Sequence, residues 1–328
     1  MPPDGWTHLM AAAGEVRFVH EPFWTRAVCD HLDDHDGRWL LVEQGGRPVA
    51  GIPLVVSRKG PLNLWEGHHQ GVPTAPLLAE DLPPERRHAV LATLLDGCRQ
   101  LALGSRVLAF SLYLDPLWDG SLGADLHGLG FRRSAVSTAG LPLIGGIDQV
   151  ERTVLKKNRR NERNRALKMG CKAEISTAPE DLDAFQAIHA EAARRWGVPT
   201  VPAAMIRQLV SEGAGKVFLS LVRFEDRLIG GHFCWHDGDE IFAWLGATLP
   251  QHNDKFPATL LIWNDLEEAC RRGASWLDLG GSGGLEGVSN FKKLLGAEER
   301  ERGAWSLAPW SGRLLRGVHG LVTRRGRA

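Results

Sequence analysis

The sequence predicts an α/β (α+β) fold whose two halves repeat a similar order of elements. Apolar residues with helical spacing alternate with short apolar strands along the chain. The order helix, hairpin strands, helix, strand occurs twice, at a spacing of roughly 150 residues. The 328 residues suffice for two domains of ordinary size, and a hydrophobic content of 43% with 24% charged residues is typical of a soluble globular protein.

The first half is predicted to open as a loop, followed by a helix from Pro22 to Leu32. Strands over 39–43 and 48–56 flank Gly45-Gly46, a dipeptide typical of β-hairpin turns. The glycine- and histidine-rich segment 62–76 is expected to form a loop. The remaining elements predicted for this half are a helix over 83–103, a strand over 107–112, a helix over 122–129 and a strand over 131–143.

The second half is predicted to begin with a basic helix over 148–170, which would join the two halves and end at Gly170. Pro179 and Pro257 suit the first turns of later helices, where a missing N–H is tolerated. The other elements predicted for this half are a strand over 171–176, helices over 179–196 and 203–212, strands over 217–223, 228–235 and 240–247, a helix over 256–272 and a strand from Trp276.

The charge distribution and the cysteine content of the sequence indicate which partners and which cellular compartment to expect. The net charge is zero, so no overall field draws the protein to nucleic acid or membrane, yet 152–172 holds nine Lys or Arg against one acid. Five widely spaced cysteines argue against a disulfide framework and favour a reducing compartment. Neither a signal peptide nor a run of 18 apolar residues is evident, so we expect a cytoplasmic protein without a membrane span.

The most informative stretch runs from Trp276 to Gly296 and reads WLDLGGSGGLEGVSNFKKLLG. A strand ends near Asp278, and a glycine-rich turn follows that allows close approach of the backbone to a ligand. The N–H groups of that turn, around Gly281, Ser282 and Gly283, can hold an anion or an oxyanion. The spacings of the Walker and dinucleotide-binding motifs are absent from this stretch.

This stretch resembles the C-terminal signature of FemABX-type aminoacyltransferases and their BioF2-like acyltransferase relatives. The pattern G-[LV]-x-x-F-K-x-x-[FW]-G reads GVSNFKKLLG over 287–296, with Leu295 where the family prefers an aromatic residue. The resemblance implies a tandem pair of GNAT-like domains, each a mixed, mainly antiparallel sheet flanked by helices. It implies domains over 1–150 and 151–310, with a C-terminal helix within 311–328 that folds back onto the first half.

By the same resemblance, Phe291 and Lys292 occupy the functional Phe-Lys pair. Amide formation needs a neutral amine, a stabilised oxyanion and a neutralised leaving group, and Lys292 or Lys293 can place a cation beside that leaving group. Asp278 is a candidate base or a group that orients the amine; alternatively, it is a carboxylate that caps or braces the loop. Asn290, between the glycine turn and the Phe-Lys pair, is a further candidate for donor binding.

The basic helix has two interpretations. The family has a similar basic segment, read here as KKNRRN over 156–161 and ALKMG over 166–170. Lys156, Arg159, Arg160 and Arg163 are candidates for contact with phosphates of a tRNA acceptor stem, a nucleotide-linked substrate or coenzyme A. Alternatively, the run is a solvated segment between domains. Arg159 and Arg163 are four residues apart and share a helix face.

Three histidines are candidates for binding roles. His69 lies in a glycine-rich loop, a position that favours a binding role. His232 and His236 flank Cys234 on a predicted strand, which is compatible with a metal site but more typical of a packed core strand. No fourth ligand is evident, so no metal and no tightly bound cofactor are expected.

The favoured function is transfer of an aminoacyl group from aminoacyl-tRNA to the amine of a small-molecule or peptide-like acceptor, with tRNA as a partner. The alternative is an acyl-CoA-dependent N-acyltransferase, although the usual pyrophosphate loop is not recognisable in QHNDK at 251–255. A third hypothesis is a non-catalytic module that binds RNA or nucleotide. Acceptor identity and oligomeric state stay open.

Overall fold

The computed structural model describes residues 2–67, 69, 71–104, 106–213 and 215–309. The chain divides into two compact units. The first comprises the residues up to Val136 together with those from Glu301 onward, and the second comprises Ser137–Arg300. The predicted helix within 311–328 lies outside the described residues.

The first unit is a sheet with strand order β1-β2-β3-β5-β12, and β4 pairs with β2. Neighbouring strands are antiparallel except β3 and β5, which are parallel. The turn between the first two strands has positive φ at both Gly45 and Gly46, as a tight hairpin requires. The elements are α1 (Asp4–Ala12), α2 (Pro22–His31), β1 (His35–Gln44), β2 (Arg47–Lys59), β3 (Leu62–Glu66), β4 (Leu77–Leu78), α3 (Pro84–Ala102), β5 (Val107–Leu114), α4 (Pro116–Gly128) and the first part of β6 (Arg132–Pro142), with most of β12 (Glu298–Leu307).

The core of the first unit forms where α3 and α4 pack on this sheet. Leu94 and Cys98 of α3 are buried against Phe110 of β5 and Trp305 of β12. The apolar face of α3 recurs every three or four residues, so that one side of the helix meets the sheet along its length.

The second unit is a sheet with strand order β6-β11-β10-β9-β8-β7. Its neighbouring strands are antiparallel except β10 and β11, which are parallel. The elements are the last part of β6, α5 (Gly146–Thr153), α6 (Lys157–Lys168), β7 (Lys172–Ser176), α7 (Pro179–Trp196), α8 (Ala203–Glu212), β8 (Val217–Phe224), β9 (Arg227–Asp237), β10 (Glu240–Thr248), α9 (Pro257–Arg271), β11 (Trp276–Gly281) and α10 (Glu286–Leu295).

Two irregularities of this sheet position the site described below. Parallel pairing of β10 with β11 extends only from Glu240/Trp276 to Phe242/Asp278. Just beyond, the register of β10 against β9 shifts between Ala243 and Leu245, a bulge that re-aims the strand. The helix α9 covers the sheet with a face that includes Leu261, Leu266 and Ala269, all fully buried.

Several elements differ from the sequence prediction. The opening segment contains α1, and 62–66 is the strand β3 inside the sheet, although glycines at both ends indicated a loop. The predicted basic helix is two helices, because Leu155 is buried and Lys156 is extended between them. The strand β12 was not predicted. Among the described residues, no helix is both long enough and apolar enough to cross a membrane.

Candidate active site

A cavity of about 350 Å³ lies in the second unit, beyond the point where the pairing of β10 with β11 ends. Its lining is mostly apolar, with aromatic rings from three elements. Polar atoms come from a few side chains and from the glycine-rich loop. The lining residues are His189 and Trp196 of α7, His232 of β9, residues 243–248 of β10, Ala258 and Ile262 of α9, Leu279, Gly281, Ser282, Gly283 and Leu285 of β11 and its loop, and Val288, Phe291 and Lys292 of α10.

The glycine-rich loop takes its shape from positive φ angles at Gly280, Gly283 and Gly284 (69°, 56° and 78°), which glycine adopts without strain. Asp278, only 2% exposed, accepts a hydrogen bond from the Gly280 backbone N–H to Oδ1 at 2.6 Å. This contact corresponds to the bracing role weighed for Asp278 in the sequence. The carboxylate stabilises the turn in which β11 ends.

Lys292 holds the same loop from the other side. Its Nζ donates to the carbonyl oxygens of Leu279, Gly280 and Gly281 at 2.8, 2.9 and 3.0 Å. The residue is 7% exposed, and an ammonium group has three N–H donors, so all of its donors are used by backbone oxygens. Burial lowers the pKa of Lys292 to about 8, while the charge of Asp278 opposes that shift.

The buried amine of Lys292 should make stability depend on pH. Its pKa is about 8 in the folded chain and 10.5 without burial, so the unfolded chain holds more protons between these values. The free energy of unfolding should therefore rise with pH across that window, relative to a Lys292→Met variant. Paired denaturant titrations of the two proteins below and above pH 8 provide the measurement. If the difference in free energy of unfolding between the two proteins stayed constant with pH, the lowered pKa of Lys292 would be contradicted.

Phe291 connects the cavity to the basic helix α6. Its ring lines the cavity, and the guanidinium of Arg159 lies 5.3 Å from the ring centroid. Arg159 also donates from Nη1 to Glu162 at 2.6 Å, and Glu162 accepts from the Thr259 hydroxyl of α9 at 2.7 Å. Arg159 is thus bound within the unit, with its side chain 14% exposed.

The other two predicted arginines of α6 are also held internally. Arg163 pairs with Glu151 at 2.6 Å and lies over the Trp263 ring at 3.9 Å from its centroid. Arg160 donates to the backbone carbonyl oxygen of Glu151 at 2.6 Å. Glu151 lies one residue before the segment 152–172, so the comparison of basic and acidic residues in that segment did not include it. These arginines attach α6 to α5 and α9.

The remaining predicted residues fall into three groups. Gly281, Ser282 and Gly283 line the cavity. Lys156, Lys293 and Asn290 are exposed; Lys156 Nζ donates to the backbone carbonyl oxygen of Lys293 at 2.7 Å, and Lys293 lies 3.6 Å from Glu299. His69 belongs to the first unit, where it is 8% exposed beside the His35 ring and 3.8 Å from Glu66.

One pair of residues at the cavity was missed as functional by the sequence reasoning. His232 lines the cavity, and its Nδ1 lies 2.5 Å from Oδ2 of Asp265, a fully buried carboxylate of α9. The available signal was an acid within the apolar face of a helix, between Leu261 and Ala269, because a buried carboxylate requires a partner. Among the described residues, no group of three or more His, Cys, Asp or Glu is arranged to hold a metal ion.

Comparisons with known proteins agree with this architecture. Residues 153–293 match the family described as acetyltransferase (GNAT) domain. The chain is similar to the crystal structure of FemX (15% identity, TM-score 0.73), with coverage of 97% of this chain and 98% of that one. It is also similar to L-PGS from Bacillus licheniformis (15% identity, TM-score 0.60), with coverage of 100% of this chain and 97% of that one. A tandem GNAT protein from the clavulanic acid biosynthesis pathway is similar as well (17% identity, TM-score 0.55), with coverage of 93% of this chain and 94% of that one. The tandem GNAT fold predicted from the sequence is confirmed, while no curated protein sequence matches the chain.

Proposed function

We propose that this chain, a FemABX-like acyltransferase of the GNAT superfamily, moves an aminoacyl group from aminoacyl-tRNA onto the amine of a small-molecule or peptide-like acceptor. The product is an amide, formed when the amine attacks the ester carbonyl and the ribose oxygen leaves. The proposal treats the cavity of the second unit as the place where the donor's carbonyl and the acceptor's amine meet.

The observation that carries acyl transfer is the cavity beside the glycine-rich loop. A reacting carbonyl needs a largely apolar surrounding with a few fixed polar groups, and this cavity has both. The three bonds from Lys292 and the bond from Asp278 to Gly280 fix the loop before any ligand arrives. A preorganised backbone is what stabilisation of a developing oxyanion requires.

The exposed cations of α5 and α6 support a polyanionic donor. The partly buried Arg159, Arg160 and Arg163 of α6 are bound internally, but the exposed charged residues from Arg152 to Lys168 are all basic. We call these exposed residues the basic surface; its members are Arg152, Lys156, Lys157, Arg165 and Lys168. Of the three acids in α5 and α6, Glu151 and Glu162 are partly buried and paired with arginines, while Asp148 is exposed in the first turn of α5. The exposed charges from Arg152 to Lys168 are therefore all cationic, which suits a phosphate backbone.

A second candidate is transfer from acyl-CoA, which the match of residues 153–293 to an acetyltransferase (GNAT) domain favours. Both donors present a carbonyl joined to a phosphate-bearing leaving group, so the same cavity serves either. They differ in the number of phosphates and therefore in the dependence of binding on salt. Binding of charged bulk tRNA and of acetyl-CoA, side by side at two salt concentrations, separates the candidates.

Charge reversal of the basic surface should weaken tRNA binding. We expect the variant Lys157→Glu, Arg165→Glu, Lys168→Glu to bind charged tRNA at least about tenfold more weakly and with a smaller salt dependence, because it loses phosphate contacts. The control Lys59→Glu, Arg86→Glu, Arg132→Glu makes the same change in net charge at exposed positions of the first unit and should bind as the parent does. Equal weakening in both variants, or binding of acetyl-CoA alone, would count against the tRNA donor.

A further inference from the structure

We propose that His232, oriented by Asp265, is the base that accepts the proton of the acceptor amine during acyl transfer. The inference rests on the proposed function, since it concerns the reaction in the same cavity. An amine that is protonated in water must lose a proton to attack, and a second proton must leave nitrogen before the amide is complete. The cavity therefore needs a proton acceptor.

The pairing with Asp265 decides which nitrogen of the ring is available. Asp265 is fully buried on α9, and His232 is the only described residue that forms an ion pair with it; the thiol of Cys234 donates weakly to the other oxygen, Oδ1, at 4.0 Å. A buried carboxylate needs a donor, so Nδ1 carries the hydrogen in the 2.5 Å contact with Oδ2. In a neutral ring the lone pair then lies on Nε2, and no other described residue hydrogen-bonds this ring.

The opposite strand leaves space for the ring. Gly246 of β10 is the register partner of His232 on β9, and both line the cavity. A Cβ at position 246 would lie 2.5 Å from Cδ2 and 2.8 Å from Nε2 of His232. Glycine at this position is therefore needed for the imidazole to occupy its place, and Nε2 lies at the side of the ring next to it.

Other polar groups of the cavity are less suitable as the base. The donors of Lys292 are committed to three carbonyl oxygens, and Asp278 accepts the Gly280 N–H. His189 also lines the cavity, but its Nδ1 is buried without a partner among the described residues, and burial lowers its pKa. His232 alone has a carboxylate that stabilises the imidazolium formed when the ring accepts a proton.

Acyl transfer with His232 as the base conserves protons and electrons at every step. The protonated amine first gives one proton to Nε2 of His232, which releases it to water. The neutral nitrogen then bonds to the carbonyl carbon, the carbonyl electron pair moves to oxygen, and the second N–H proton passes to Nε2. When the tetrahedral intermediate collapses, the carbon–oxygen bond to the ribose breaks, and the imidazolium returns its proton to the leaving oxygen. Asp265 holds the ring by its hydrogen bond and exchanges no proton in these steps, and no redox partner is needed.

The kinetic test uses the donor that the wild-type protein accepts, charged tRNA or acetyl-CoA, with two amine probes. Ethanolamine is mostly protonated at neutral pH, whereas hydroxylamine is mostly neutral. His232→Gln and Asp265→Asn should lower kcat with ethanolamine by about 100-fold, the usual contribution of a positioned base, with little change in the donor's KM. The loss should be much smaller with hydroxylamine, since that amine needs no deprotonation before attack and, as the weaker base, gives up its second proton to water more readily. A purely structural role would lower both rates alike.

Matched variants separate the role of the pair from damage to the strand. His236→Gln lies on the same strand outside the cavity and should behave as the parent does. Gly246→Ala keeps both His232 and Asp265 but displaces the ring, and should lose activity with ethanolamine as His232→Gln does. Gly120→Ala, where no described atom lies within 4 Å of the new Cβ, is its control.

A readout that does not require turnover completes the test. Nitrogen-15 NMR of the histidine rings, recorded at a pH at which the His232 ring carries one proton, should show that proton on Nδ1 in the parent, and on Nε2 in Asp265→Asn, where the amide donates. A proton on Nε2 in the parent would overturn the inference. So would undiminished transfer by His232→Gln, or a loss confined to His189→Gln. Absence of transfer by the parent from either donor would instead reject the proposed function, whatever the NMR result.

Discussion

Replacement of Lys292 by methionine should lower turnover at least about tenfold, a loss that corresponds to about 1.4 kcal/mol of transition-state stabilisation. The carbonyl oxygens of Leu279, Gly280 and Gly281 lose their common donor, and these residues end the strand that borders the cavity. Methionine keeps much of the side-chain volume but cannot hydrogen-bond these oxygens. The expected cost in stability is about 1–3 kcal/mol, because the buried carbonyl of Leu279 and the partly buried carbonyls of Gly280 and Gly281 lose their donor.

The kinetic pattern shows how Lys292 acts. A role through the loop predicts that both kcat and KM change, because the cavity wall moves. Direct contact with the leaving group, the role inferred from the chemistry of amide formation, predicts a fall in kcat with KM preserved. Lys59→Met, an exposed lysine of the first unit, controls for the loss of one charge. If Lys292→Met turned over at the rate of the parent protein, Lys292 would have no role in the reaction.

The basic helix illustrates what local sequence conveys and what it omits. The spacing of Arg159 and Arg163 puts them on one helix face, but it cannot say whether that face meets solvent or protein. In the structure the face meets α5 and α9, where Glu151 and Trp263 bind Arg163. The exposed candidates for phosphate binding are therefore the lysines and arginines on the other faces of the helix. The count of charges in the sequence could not separate them from the arginines that are bound internally.

The site was predicted where its signal is continuous in sequence and missed where it is not. The strand, the glycine turn and the Phe-Lys pair lie within 21 residues, so their proximity required no knowledge of the fold. His232 and Asp265 are 33 residues apart, and their contact depends on α9 packing across β9. Likewise, the partners of Lys292 are backbone carbonyls, which carry no mark in the sequence. The strand β3 was missed because its glycine borders resemble a loop, whereas its pairing with β2 and β5 is a property of the sheet.

Gly296→Ala should be among the most destabilising single changes in the second unit. Gly296 ends α10 with φ of 104°, and a Cβ there would lie 2.3 Å from the backbone carbonyl oxygen of Val154. A backbone atom cannot rotate away as a side chain can, so the segment between α5 and α6 would have to separate from α10. Together with the strain of positive φ, we expect a loss of about 3 kcal/mol or more in the free energy of unfolding.

Gly273→Ala is the matched comparison, because Gly273 follows α9 with a positive φ of 76° and no described atom lies within 4 Å of the new Cβ. It should cost only about 1–2 kcal/mol, the strain of the left-handed conformation alone. The two losses are compared by denaturant unfolding at unchanged m value. Since α10 carries Lys292 and Phe291, only Gly296→Ala should also impair transfer in the fraction that stays folded. Equal losses in the two variants would mean that the contact of α10 with residues 154–156 contributes little to stability. The three hydrogen bonds from Lys292 would then hold the glycine-rich loop without help from that contact.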